Sequence, residues 1–72
     1  IPADYRRKLR QELYYCRKFG LPDHMQKLGL EISVETYRLQ LLGRVNYVLQ
    51  IHPDDQNLCA ARTWLLAREE TK

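Results

Sequence analysis

The chain has little of what breaks, staples or anchors a fold. Its 72 residues include three glycines, three prolines and two cysteines, and no low-complexity or linker-like segment separates one part from another. Cys16 and Cys59 lie far apart. Together with His24 and His52 they offer none of the close spacings of a structural zinc site, and they read as reduced thiols of a cytoplasmic protein. No apolar run approaches the roughly 20 residues that a bilayer span needs. No signal-peptide pattern heads the chain, and a start at Ile1 reads as a piece of something longer. No run of four or more residues alternates apolar with polar and favours β-branched side chains, so no strand competes with helix.

What is present is periodic. At this length one small domain with one core is expected, and no large enclosed pocket. Asp4 is the expected N-cap of a first helix whose apolar residues Tyr5, Leu9, Leu13 and Cys16 step by four, four and three. Gly20 is its expected stop, with Arg17 and Lys18 suited to the last turn. Pro22 opens a short second helix with Leu21, Met25 and Leu28 on its apolar side, ended by Gly29. Ser33 is the expected N-cap of a third and longest helix, with Glu35 in its first turn, running to about Ile51 before Pro53. Asp54 or His52 is expected to cap a fourth helix through about Arg68, buried along Leu58, Ala61 and Leu65 with Trp64 beside them. The whole, residues 1–72, reads as an all-α bundle of three main helices and one short one.

The charge is uneven. Residues 1–20 hold six basic side chains, Arg6, Arg7, Lys8, Arg10, Arg17 and Lys18, against Asp4 and Glu12. Such a field suits a polyanion, and it equally describes a solvated helix face.

The third helix is the informative one. Leu41, Val45, Val48 and His52, flanked by Leu42 and Leu49, define a core face. Gly43, Tyr47 and Gln50, joined by Asn46, define a second face that is polar and aromatic with a gap in its middle. A glycine inside a helix costs about 1 kcal/mol relative to alanine. Two gains can offset this: a neighbouring helix packed into the gap, or close approach of a nucleic-acid backbone or groove floor. The neighbours suit the second. Arg44 offers a bidentate fork for phosphate. Asn46 and Gln50 carry donors and acceptors for sugar hydroxyls and minor-groove base edges. Tyr47 offers a flat ring and a hydroxyl, although alone it equally suits a half-buried core position.

The run Leu41-Leu42-Gly43-Arg44-Val45-Asn46-Tyr47-Val48-Leu49-Gln50-Ile51-His52-Pro53 resembles the thumb helix of reverse transcriptases. The run Ile1-Pro2-Ala3-Asp4-Tyr5-Arg6-Arg7-Lys8-Leu9-Arg10-Gln11-Glu12-Leu13 and its continuation Tyr14-Tyr15-Cys16-Arg17-Lys18-Phe19-Gly20 resemble the start of the thumb in bacterial enzymes of the retron and group II intron type. The resemblance reaches from residue 1 to about residue 66. It implies a thumb-like C-terminal fragment of an RNA-directed DNA polymerase that grips the template–primer duplex, with palm and fingers of the same polypeptide as partners. It implies a minor-groove track of Gly43, Arg44, Asn46 and Tyr47, with Gln50 one turn further on. Leu39 departs from the pattern, since retroviral enzymes carry glutamine there.

Arg6, Arg10, Tyr14 and Arg17 recur at i, i+4, i+8 and i+11, and are expected to hold the duplex backbone by charge. The magnesium-binding aspartates of such polymerases sit in a Tyr-x-Asp-Asp turn that this sequence lacks. Asp54-Asp55 suits a helix start instead. The chain alone is therefore expected to be inactive, and magnesium belongs to the parent polymerase. Two rivals remain: a helical protein–protein interaction module using Tyr5, Tyr14 and Tyr15, and a helix-turn-helix regulator. Against the latter, the long helix opens with Val34-Glu35-Thr36, which is poor in base-reading cations.

Overall fold

A computed structural model describes residues 2–69. Ile1, the first residue of the amino-terminal resemblance, and residues 70–72 at the end of the expected domain lie outside the described residues. The fold is all-α: α1 (Ala3–Phe19), α2 (Leu21–Leu28), α3 (Val34–Ile51) and α4 (Gln56–Ala67). No strand occurs among the described residues, and none of their helices is long and apolar enough to cross a membrane.

Local chemistry sets the helix ends. α1 starts two residues earlier than expected, with extended Pro2 in the cap position and its carbonyl accepting the Tyr5 amide at 3.1 Å. Asp4 therefore falls inside the first turn and pairs with Arg7 and Lys8 instead of capping. Gly20 is the single residue between α1 and α2, at φ +91°. Its amide closes α1 on Cys16 and its carbonyl accepts the first amide bond of α2, from His24. Gly29 ends α2 in the left-handed conformation, and the Leu30 amide reaches back to the Met25 carbonyl, a Schellman arrangement. Ser33 caps α3 as expected, accepting the Thr36 amide at 3.0 Å.

One core holds the four helices together. It is built from Leu9, Leu13 and Cys16 of α1, Leu21 and Met25 of α2, Tyr37, Leu41, Val45, Val48 and Leu49 of α3, and Leu58, Ala61 and Leu65 of α4. Two expectations fail in detail. Leu28 is 50% exposed; it is the terminal residue of an eight-residue helix and projects at the rim. His24 is buried in its stead, one step from Met25 on the inward side, with its ring against Tyr15. His52 is only half-buried, because α3 has already ended and its amide serves as the cap on Val48.

α3 packs mainly against α4, and Arg38 is the strut between them. Arg38 is buried, 2% exposed, and its guanidinium is gripped by Glu35 one turn earlier and donates to the Leu65 carbonyl in the last turn of α4 at 3.0 Å. A cation there also meets the negative end of the α4 dipole.

Asp55, and not Asp54 or His52, caps α4. After the Pro53–Asp54 turn its carboxylate accepts the Leu58 amide through Oδ1 at 3.1 Å. Oδ2 accepts Arg6 Nε at 2.8 Å, with Arg10 3.7 Å away. Burial pushes the Asp55 pKa up, but the Leu58 amide and the two arginines more than offset it and hold it below its ordinary value.

Asp55→Asn keeps the cap acceptor and removes the charge, whereas Asp55→Ala removes both. In urea unfolding followed by circular dichroism we expect losses of about 1 kcal/mol for Asn and about 2 kcal/mol for Ala. Because the native pKa is lowered, the advantage of the wild-type chain over Asp55→Asn is complete above pH of about 4 and fades as pH falls through the native value. Equal losses in the two variants would remove the cap from this account.

Candidate nucleic-acid interface

α3 buries Leu41, Val45, Val48 and Leu49 and leaves Gly43, Asn46, Tyr47 and Gln50 exposed. The periodicity separated these two faces correctly. At Gly43 a Cβ built on the backbone meets nothing within 4 Å, and the backbone there is ordinary helix with no positive φ. The packing explanation for this glycine therefore fails. Among the described residues no neighbouring helix fills the gap, and Gly43 is exposed.

The flanks of this face are held by α1. Tyr47, 48% exposed, meets the edge of Tyr5 with ring centroids 6.4 Å apart. Arg44 lies over the same Tyr5 ring at 5.8 Å and donates through Nη1 to Glu12 Oε1 at 3.1 Å. The other oxygen of Glu12 accepts the Tyr37 hydroxyl at 2.6 Å, and Tyr37 in turn lies 3.6 Å from the Cys16 sulfur. Burial first, and then Glu12 and Cys16, push the Tyr37 pKa well above its ordinary value, so the hydroxyl keeps its proton and remains a donor. Burial likewise pushes the Cys16 thiol up, which makes it an inert core sulfur. Arg44 is thus a half-exposed cation on a fixed tether. The tether runs from the core, through Tyr37 and Glu12, to the edge of the Gly43 face.

The basic residues of α1 are not on that face. Arg6 and Arg10 turn to Asp55 at the start of α4. Arg10, Tyr14 and Arg17 line a groove between α1 and α4. The sequence-predicted set is therefore split. Gly43, Arg44, Asn46, Tyr47 and Gln50 come together on α3, while Arg6, Arg10 and Arg17 form a separate stripe whose first two members already have a carboxylate partner.

Sequence reasoning missed Glu12 and Tyr37. They are 25 residues apart, and Glu12 is 32 residues from Arg44, so no local period links them. Among the described residues no cluster of His, Cys, Asp and Glu is arranged to hold a metal ion, and both cysteines are free thiols. Comparison with known protein families, with curated proteins and with solved structures found no match for this chain.

The open position gives a direct test of its cost. Gly43→Ala should raise stability by about 1 kcal/mol and the melting temperature by roughly 4–8 °C, measured by circular dichroism on the 72-residue chain. A fall in melting temperature would mean that the position is packed after all.

Proposed function

We propose that this chain is a duplex-gripping module, the thumb of an RNA-directed DNA polymerase of the retron or group II intron kind, whose α3 lies along the minor groove of the template–primer duplex. The observation that supports it best is the empty space over Gly43 in a helix that gains no packing from the glycine. A residue that lowers stability without filling a structural need is accounted for by a partner that comes close to the backbone there.

The chemistry around the gap fits an A-form-like groove, which is wide and shallow and displays 2′-hydroxyls with base edges. Asn46 and Gln50, one turn apart and exposed, supply amide donors and acceptors to those groups. Tyr47, steadied by Tyr5, supplies a flat surface for a ribose. Arg44, tethered by Glu12, supplies a cation at the groove edge for a phosphate. Contacts of this sort set the position of a duplex and carry little sequence preference. Leu39 is exposed one turn before Gly43, where its apolar side chain gives no polar contact, so the track begins at Gly43. Catalysis and its magnesium fall to the palm of the parent enzyme, and the chain by itself is a binding element.

Two substitutions test this on a labelled RNA–DNA hybrid by fluorescence anisotropy. Gly43→Leu should keep the circular-dichroism spectrum and weaken binding by about tenfold or more, the equivalent of about 1.4 kcal/mol. Arg44→Ala should weaken binding to the same extent across unrelated sequences and lower the salt slope by about one. Unchanged affinity in a folded Gly43→Leu variant would contradict the proposal. Binding that does not respond to salt would favour an apolar protein-docking role instead.

A further inference from the structure

Two strips of side chains leave α1 on opposite flanks. Arg6, Arg10, Leu13 and Arg17 step by four, three and four, and this strip faces α4. The other flank faces α3: Tyr5 meets Tyr47 and lies under Arg44, and Glu12 accepts a hydrogen bond from Arg44. Lys8 follows Tyr5 by three residues and precedes Glu12 by four, so helical geometry sets it between them on this second flank. It therefore stands level with the stretch of α3 from Arg44 to Tyr47 and borders the open face from the side.

Lys8 differs from the arginines in what holds it. Its side chain is 71% exposed, and its carboxylate partner Asp4 is itself half-exposed in the first turn of α1 and shared with Arg7. The next acid along the flank, Glu12, has both oxygens taken, by Tyr37 and by Arg44. Arg6 and Arg10 lie against Asp55, whose side chain is only 2% exposed. An exposed pair contributes little and gives way readily to an arriving anion. A pair on a buried carboxylate does not, because losing the cation leaves a buried charge uncompensated. Arg17 has no such tie, but it lies on the strip turned toward α4 and Trp64.

We infer that Lys8 is a second phosphate contact of the module, on the same strand of the duplex as Arg44. The inference rests on the duplex reading of the α3 face. A groove that receives α3 is bordered on the α1 side by one strand, and that strand crosses the line where α1 and α3 meet. Arg44 stands on this line, held by Glu12. Lys8 stands one turn of α1 from Glu12, with its ammonium on a flexible four-carbon stem. Two cations so placed reach phosphates of one strand and fix its position without reading sequence. The basic character of residues 1–20 thus enters binding through one lysine, while the arginines that make up most of the pattern point elsewhere.

The test uses the 72-residue chain and a labelled RNA–DNA hybrid, with fluorescence anisotropy over a range of salt. Lys8→Gln and Arg17→Gln each remove one positive charge from an exposed side chain of α1, so a difference between them reports position and not net charge. Lys8→Gln should weaken binding about fivefold at low salt and lower the salt slope by about one. Arg17→Gln should change affinity by less than about twofold. Lys8→Arg should bind like the wild type, and Lys8→Gln combined with Arg44→Ala should lower the slope by about two, all with unchanged circular dichroism. Equal losses in Lys8→Gln and Arg17→Gln, or a larger loss in Arg17→Gln, would overturn the inference. Gly43→Leu separates it from the reading it rests on. Weakened binding in Gly43→Leu with full affinity in Lys8→Gln would overturn the role of Lys8 alone, and full affinity in both would overturn the duplex seat on α3 as well.

Discussion

The carboxylate of Asp55 holds the first and last helices of this bundle in place. One oxygen starts α4 by accepting the Leu58 amide, and the other accepts Arg6 of α1 with Arg10 nearby. A single buried anion thus does the work of a helix cap and of an interhelical tie. Its position decides how α1 and α4 face each other, and so gives the groove between them its basic wall. It also consumes charge. Arg6 and Arg10 are two of the three arginines in the stripe that α1 presents, and their electrostatic reach toward an outside polyanion is reduced by the partner they already have.

With α1 and α4 so tied, α3 is the helix with a face to spare. It spends one side on the core and one buried guanidinium, Arg38, on the end of α4. Glu12 reaches across from α1 to hold Arg44 beside the remaining face. The result is a rigid presentation of a gap, with a glycine at the centre and polar or aromatic groups around it. Rigid presentation matters for a backbone-gripping surface, because ordering loose side chains at the moment of binding consumes affinity. The Tyr37–Glu12–Arg44 chain fixes the cation in advance and leaves part of it exposed.

Much of the fold was legible because it is written in short-range rules. Ser33 before an apolar period, Gly29 after one, and Pro53 beyond the long helix mark boundaries by chemistry confined to one turn, and each stands where those rules put it. The split of α3 into a core face and a Gly43 face followed from steps of three and four alone. The rest depended on distance through space. Choosing Asp55 over Asp54 as the cap requires knowing how the Pro53 turn is closed and where Arg6 lies, 49 residues away. Exchanging His24 for Leu28 in the core depends on where α2 ends against its neighbours. Whether Gly43 was filled or open was undecidable from its own helix, since both readings share one local sequence. The arginine stripe of α1 was visible as a pattern, but its division between Asp55 and the groove was not.

The central claim is that the open face of α3 rests against paired strands. It is tested most directly by titrating an RNA–DNA hybrid into the isotope-labelled chain and following amide shifts residue by residue. The account predicts that the shifts concentrate on Gly43, Asn46, Tyr47 and Gln50, with Arg44 moving and the residues around Trp64 nearly still. Shifts centred on the α1–α4 groove, or none at all at concentrations where the hybrid binds, would contradict it.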